Sequence, residues 1–149
     1  MAKRNGFTVL ELVVVLMLGV ALTSIAVRSM AGIQSRMSVR QARNVYAALH
    51  ARARAQAVEF GEPVMVGIDA EGDSLWLERD DGTRLEVIRL FDEMGVDLQG
   101  SSSTYTVCMN ARGFADESCN SFDEPVTLSF VMGGDSASLL ILPLGQVIY

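Results

Sequence analysis

The first sixty residues follow a helical pattern that changes character part of the way along. Residues 7–27 read FTVLELVVVLMLGVALTSIAV, 21 residues with a single charge, long enough at about 1.5 Å per residue to cross a ~30 Å hydrocarbon core. Further on, no proline interrupts the chain before Phe60, and apolar residues recur at helical spacings: Ala42, Val45, Leu49, Ala53 and Ala57. The pattern predicts one helix over 7–60, transmembrane over 7–27 and amphipathic over 28–60, ended by Gly61 and Pro63.

Beyond Pro63 the pattern changes to short apolar or alternating runs, which are typical of strands. These runs cover residues 64–68, 74–78, 84–91, 104–108, 126–132 and 138–142. Glycine- and aspartate-rich turns at residues 70–73, 80–82 and 133–135 separate several of them, which favours antiparallel hairpins. The sequence therefore predicts an α+β fold: a lollipop in which the long helix packs on the antiparallel β-sheet of a globular head over 63–149.

Charge is distributed unevenly along the chain. The net charge is −6, yet the segment between Glu11 and Glu59 holds six arginines and no acid, whereas Glu59 to Tyr149 holds 17 acids against four arginines. Several cationic residues recur at helical spacing on a side of the helix away from the apolar stripe: Arg36, Arg40, Arg43, His50 and Arg54. The sequence predicts a basic ridge on the helix and an acidic head that repels nucleic acid and anionic lipid.

The N-terminus indicates how the chain is oriented. Lys3 and Arg4 precede the apolar run, so the short N-terminus is expected to stay in the cytoplasm and the head to lie outside it. A cleaved secretory signal is the alternative, but its cleavage site would follow the apolar run, where the helical pattern continues. Glu11 lies within the run, where an unpaired carboxylate costs on the order of 2 to 3 kcal/mol. It is therefore either a functional residue with a partner or a side chain that reaches the membrane interface.

A resemblance to a known class of proteins rests on this N-terminus. Lys3-Arg4-Asn5-Gly6 followed by Phe7-Thr8-Val9-Leu10-Glu11-Leu12 resembles the class III signal of type IV prepilins and pseudopilins. The resemblance implies that a membrane prepilin peptidase cuts after Gly6, removing the leader 1–6, and methylates the new N-terminus at Phe7. It also implies that Glu11 pairs with the ammonium group of a neighbouring subunit, which would couple filament assembly to relief of a costly charge.

The same resemblance implies partners and a location. The chain would be a single-pass protein of the inner membrane, with its head in the periplasm or on an extracellular filament. Its partners would be prepilin peptidase, inner-membrane lipid and other pilins or pseudopilins in a helical filament. The basic ridge would then face lipid headgroups and acidic surfaces of neighbouring subunits.

The C-terminal half carries a second resemblance. Asn110-Ala111-Arg112-Gly113 and the final Leu142-Pro143-Leu144-Gly145-Gln146-Val147 look like the GspH/FimT family. This implies a minor pilin or pseudopilin that helps to initiate or cap a type IV pilus or a type II secretion pseudopilus. The alternative is a DNA-binding pilin for natural transformation, but such proteins use arginines after the final glycine. Residues 146–149 have none, so nucleic acid ranks below scaffolding as a partner.

The remaining candidate residues indicate a structural role and not a catalytic one. Cys108 and Cys119 are the only cysteines; outside the cytoplasm they are expected to form a disulfide, with two buried free thiols as the alternative. They are not expected to bind zinc, because His50 is the only histidine and cannot complete the ligand set. The sequence has no phosphate-binding loop, EF-hand or nucleophile elbow. We therefore expect no enzyme activity, no metal or cofactor and no small-molecule substrate.

Overall fold

The computed structural model describes residues 8–149, with side chains at all of these positions except 26–29 and 31. Gly6 and Phe7, the predicted processing site, lie outside the described residues. The chain divides into two compact units, one up to Gln34 and one over Ser35–Tyr149.

A single long helix, α1, runs over Val9–Phe60. The hydroxyl of Thr8 caps its start by accepting a hydrogen bond from the Glu11 backbone N–H at 3.3 Å, which satisfies one of the N–H groups that a helix start leaves unpaired. The helix ends at Gly61, whose φ of 67° is a left-handed conformation that glycine adopts without strain. The predicted helix and its end are confirmed from Val9 onward.

Across residues 8–149, no helix is both long enough and apolar enough to cross a membrane. The transmembrane helix predicted over 7–27 includes residues that the structure does not describe in full, and it stays a prediction.

The head contains eight strands in two sheets, and every pairing is antiparallel. The strands are β1 Val64–Asp69, β2 Ser74–Arg79, β3 Arg84–Arg89, β4 Asp97–Gln99, β5 Thr104–Met109, β6 Val126–Met132, β7 Asp135–Ile141 and β8 Val147–Ile148. Sheet A has the order β3-β2-β1-β5, and sheet B has the order β4-β6-β7-β8. The antiparallel α+β fold is confirmed, but the single predicted sheet is two, because β5 returns to pair with β1 while β6 pairs with the short β4.

The third predicted strand also ends earlier than expected. It breaks after Arg89, and a short helix, α2, follows over Leu90–Met94. Gly95, with a φ of 68°, ends this helix by donating its N–H to the carbonyl of Phe91. Residues 84–91, which were predicted as one strand, therefore belong to β3 and to the start of α2, where Leu90 is buried in the core.

One face of α1 and the inner faces of both sheets form the core. The buried helix positions are Val39, Ala42, Tyr46, Leu49, Ala53 and Ala57, which recur at spacings of three and four. The predicted stripe is confirmed except at Val45, which is half-buried because the neighbouring Tyr46 faces the core instead. Alternate strand residues complete the core, as at Leu75 and Leu77 in β2.

Candidate functional site

The start of α1 presents an apolar surface that nothing in its own unit covers. Large apolar side chains from Val9 to Ile25 are between 42% and 82% exposed, and they point in every direction around the helix. Glu11, the only charged residue in this stretch, is exposed as well. A helix that is apolar on all sides is stable in water only when another molecule or a larger assembly covers it.

The basic ridge is less uniform than the sequence suggested. Arg36 forms a salt bridge with Asp135 at 3.1 Å, and the hydroxyl of Ser35 donates to the same carboxylate. These hydrogen bonds, that of Ser35 first, lower the pKa of Asp135. Arg43 is half-buried, with its guanidinium 5.3 Å from the centre of the Tyr149 ring. Arg36 and Arg43 therefore help to hold the head on the helix.

Arg40 and Arg54 are the ridge residues that remain available to other molecules. Both are exposed, and neither forms a salt bridge with a residue that the structure describes. Arg52, which was not assigned to the ridge, pairs with Glu86 in β3. The free positive charge on the described helix is thus smaller than the arginine count implies.

His50 does not belong to the ridge, which corrects the prediction. Its side chain is buried beneath the C-terminal turn, and the residue is only 7% exposed. Burial lowers its pKa to about 4, and the charge of Arg54 acts in the same direction, whereas a hydrogen bond to the backbone of Gly145 opposes both. Helical spacing alone placed His50 near the ridge. The turn that buries it lies almost a hundred residues away in sequence, so no local signal could reveal this.

The two turns that resemble the GspH/FimT family, at residues 110–113 and 142–145, lie together against α1. The backbone of Gly113 lies so close to α1 that a Cβ there would be 3.0 Å from side-chain carbons of Arg54 and Val58. A Cβ on Gly145 would be 2.4 Å from the Cβ of Ala115. Both glycines have positive φ, 78° and 72°. The Asn110–Gly113 turn and the Leu142–Gly145 turn therefore form one junction that requires glycine at both positions.

The predicted disulfide between Cys108 and Cys119 is confirmed. The loop that it closes lies along the outer edge of β5. Ser121 exchanges hydrogen bonds with Thr106 (backbone N–H to Thr106 O at 3.1 Å, and hydroxyl from Thr106 N at 2.8 Å). On Cys108, the N–H donates to the Asn120 side chain and the carbonyl accepts from the backbone of residue 116. The cross-linked loop and the two residues that follow it therefore occupy backbone groups that would otherwise be open at the edge of sheet A.

Two aromatic strand residues, Phe130 and Trp76, differ in whether they face the core. Phe130 is fully buried, whereas Trp76 lies on the outer face of sheet A. It covers Gly67, with the Arg84 guanidinium 4.9 Å from its ring centre. The alternation in β2 explains this position, because Leu75 and Leu77 on either side of Trp76 are buried on the opposite face.

The head offers no arrangement for metal chemistry in the part of the chain that the structure describes. There, no group of three or more histidine, cysteine or carboxylate side chains is placed to hold a metal ion. Asp81 and Asp116 have lowered pKa values, because each carboxylate accepts hydrogen bonds first from the side chain and then from the backbone of a nearby residue, Thr83 and Ser118 respectively. These carboxylates stabilise surface turns.

Comparisons with known proteins identify the fold. No protein-family model matches the sequence, and no curated protein matches it significantly. A crystal structure of the type IV minor pilin FimU of Pseudomonas aeruginosa (strain PAO1), in space group P21, is similar with a TM-score of 0.55 and 16% identity, covering 77% of this chain and 90% of that one. The structure of FimU in space group P65 gives a TM-score of 0.51 at 16% identity, over 72% and 89% of the two chains. The fold of this chain is therefore that of a type IV minor pilin.

Proposed function

We propose that this protein is a structural subunit of a type IV pilus-like filament, a minor pilin or pseudopilin, and not an enzyme. The observation that carries the proposal is the apolar surface on all sides of α1 over Val9–Ile25. Packing against the equivalent helices of other subunits would remove that surface from water. The likeness of the fold to that of a type IV minor pilin supports the same role.

The proposal includes processing of the N-terminus. Cleavage between Gly6 and Phe7 by prepilin peptidase would create an ammonium group, which N-methylation of Phe7 retains. Glu11 lies one helical turn further on, is exposed and is the only charge in the apolar stretch. Its carboxylate would pair with the ammonium group of a neighbouring subunit, so that insertion relieves a charge that is costly among apolar side chains.

The proposed location follows from the two ends of the molecule. Before assembly, inner-membrane lipid would cover the apolar side chains of the first part of α1. The disulfide between Cys108 and Cys119 favours an oxidising compartment. We therefore propose that the head lies in the periplasm or on an extracellular filament.

Replacement of Gly6 by alanine tests the processing step. We expect the Gly6→Ala protein to remain a full-length precursor without N-methyl-Phe7, as read by mass spectrometry of protein purified from a host with an active prepilin peptidase. Gly19→Ala is the matched control, because no atom lies within 4 Å of a Cβ placed there, and it should be processed normally. Mature Gly6→Ala protein of unchanged mass would refute the processing proposal.

The sequence features that resemble the GspH/FimT family extend the proposal to a role in initiating or capping a filament. The filament would be a type IV pilus or the pseudopilus of a type II secretion system. Deletion of the gene in the native host, scored for surface pili and for secreted proteins, separates these. Loss of pili alone indicates a pilus subunit, loss of secretion alone indicates a pseudopilin, and loss of neither contradicts both roles.

DNA binding for natural transformation is the less supported alternative. Of the ridge residues, Arg36 is engaged by Asp135 and Arg43 is half-buried, and residues 146–149 carry no positive charge. An acidic head would oppose binding to phosphates. A gel shift with the full-length protein in detergent is expected to show no complex at physiological salt, and a tight complex there would reverse this ranking.

A further inference from the structure

Two exposed patches on the head combine apolar side chains with charges of opposite sign. We name the first the basic patch, which consists of Arg54, Val58, Arg112, Phe114 and Leu144. We name the second the acidic corner, which consists of Phe91, Asp92, Glu93 and Asp97. Of these residues, only Arg54 belongs also to the basic ridge.

The basic patch surrounds the junction of the two glycine turns. The backbone of Gly113 lies against Arg54 and Val58, as described above. Val58, Phe114 and Leu144 are 55%, 67% and 64% exposed. Three large apolar side chains thus remain in water around one short stretch of backbone.

Positive charge flanks these apolar side chains. Arg54 and Arg112 are both exposed, and neither forms a salt bridge within residues 8–149 as the structure describes them. A partner surface that fits this patch would offer an apolar side chain with carboxylates beside it.

The acidic corner has that composition. It lies on and just after α2, where Phe91 is 57% exposed beside the exposed carboxylates of Asp92 and Glu93. Arg89 is the nearby cation, at 4.0 Å from Asp92 and with its backbone N–H donating to Glu93. Over residues 86–97 there are four acids and this one arginine, so the corner remains net negative.

The strand order places the two patches at opposite edges of sheet A. The acidic corner follows β3, and the Asn110–Phe114 part of the basic patch follows β5. These are the two edge strands, and β2 and β1 lie between them. With about 4.8 Å between neighbouring strands, the edges are roughly 14 Å apart. At that separation the two patches do not contact each other within one copy, so both are available for contact between copies.

We propose that the basic patch of one copy docks on the acidic corner of a second copy of this chain. This inference rests on the proposed function, because it describes how the heads of neighbouring subunits would meet. The contact is heterologous, because each copy offers one of its two patches to a given neighbour and keeps the other patch for a different one. Arg112 and Arg54 would approach Asp92 and Glu93 while Phe114 and Leu144 cover Phe91.

Cysteine cross-linking in cells tests the contact. Two full-length versions with different epitope tags, one with Leu144→Cys and the other with Phe91→Cys, are produced together and treated with a mild oxidant. We expect a reducible dimer that carries both tags. Each version produced alone should give no dimer, because a heterologous contact brings Leu144 to Phe91 and not to another Leu144. Alkylation with and without reductant verifies that the Cys108–Cys119 disulfide is intact in both.

Charge reversal in the same assay tests the electrostatic part. Arg112→Glu should lower the yield of the mixed dimer several-fold, and adding Glu93→Arg to the partner version should restore it. Asp80→Arg is the control charge reversal, since Asp80 is exposed and lies outside both patches and outside the basic ridge, and it should leave the yield unchanged. Restoration by the second reversal separates a direct contact from general damage to the fold.

Three results would overturn the inference. These are the absence of the mixed dimer, dimers formed by either version alone, and cross-links only to a different protein. The proposed function is judged separately, by the presence of the untagged protein in sheared filaments. If the protein is in filaments and the mixed dimer is absent, only the head contact is wrong; if it is absent from filaments, the proposed function fails as well.

Discussion

The two halves of α1 use apolar residues in different ways. Over Val9–Ile25, every large apolar side chain is substantially exposed, whichever way it points. Over Val39–Ala57, the buried positions follow a single stripe, and the head covers that stripe completely. Both stretches belong to one continuous helix, so the difference lies in the side chains and not in the backbone.

The two halves of α1 differ in whether other residues of the same chain cover their apolar side chains. A stripe of apolar residues is satisfied by one partner layer, and the two sheets supply it within the same unit. A helix that is apolar on all sides needs neighbours on all sides, and no described element of its unit supplies them. The stability of the head and the assembly of the filament should therefore respond to different substitutions.

The largest expected effect comes from a matched pair of leucines. Leu49→Ala removes a side chain that is 1% exposed and should lower the free energy of unfolding by roughly 2 to 5 kcal/mol. Leu16→Ala removes one that is 60% exposed and should change it by less than about 0.5 kcal/mol. Urea unfolding of the full-length protein in detergent, followed by the fluorescence of Trp76, measures both.

The two substitutions should affect filament assembly in the opposite order, with Leu16→Ala having the larger effect. Leu16→Ala should lower the amount of protein in sheared filaments, whereas a Leu49→Ala protein that is still folded should assemble normally. If Leu16→Ala destabilises the head as much as Leu49→Ala does, the division between the two halves of the helix is wrong.

The next largest effect is expected from His50, the titratable residue in the part of α1 that the head covers. The pKa of His50 is lowered from 6.5 to about 4 by burial, so between these values the unfolded chain binds a proton that the folded head does not. Stability should therefore fall as the pH drops from about 6.5 towards 4, by at most about 3 kcal/mol. Urea unfolding at a series of pH values measures the slope, and His50→Gln should remove it.

The carboxylates provide the internal control for this slope. Asp81, Asp116 and Asp135 have pKa values lowered below 3.8, so the stability that they contribute is lost at lower pH than that of His50. An unchanged slope in His50→Gln between pH 6.5 and 4 would mean that the histidine is not buried in the neutral form.

A smaller effect is expected where the C-terminal turn closes over the helix. Gly145→Ala places a Cβ 2.4 Å from that of Ala115 at a φ of 72°, and we expect a loss of roughly 1 to 3 kcal/mol in the free energy of unfolding. Gly134→Ala meets no atom within 4 Å and serves as the control in the same measurement. Equal stabilities for the two variants would show that the junction is loosely packed.

The smallest effect is expected at the hydroxyl of Tyr46. This group is buried without a hydrogen-bond partner among the described residues, and burial, with a contribution from Tyr149, raises its pKa. Tyr46→Phe should therefore be neutral or stabilise the head by up to about 1 kcal/mol. Tyr105→Phe is the contrast, because the hydroxyl of Tyr105 forms hydrogen bonds with Ser101 at 2.9 Å and with the N–H of Ser102. Its removal should lower the free energy of unfolding by about 1 kcal/mol. A loss at Tyr46 as large as that at Tyr105 would reveal an additional partner.

Local features of the sequence predicted much of the head. Gly61 and Pro63 mark the end of α1, and most strands were visible because apolar alternation and glycine turns are local signals. The disulfide followed from the compartment that the N-terminus implied. The short β4 and α2 were missed because three and five residues are too few to show a period.

Features that depend on distant parts of the chain could not be predicted in this way. The division into two sheets depends on whether β5 pairs with β1 or with β6, and both pairings suit its apolar pattern. His50 was assigned to the wrong side because Gly145, which buries it, is remote in sequence. The junction of Gly113 and Gly145 was recognised only as two motifs, and only the fold shows that they meet.

The loop closed by Cys108 and Cys119 has a consequence for how the head behaves at high concentration. Sheet A has two edge strands, but this loop, together with Asn120 and Ser121 just after it, fills hydrogen-bonding positions on β5, so β3 is the edge strand that remains open. A sheet with one open end can pair edge to edge with one other copy, after which neither has a free end to offer. Growth of a cross-β aggregate through sheet A should therefore stop at a pair, because residues 116–121 cover the other edge.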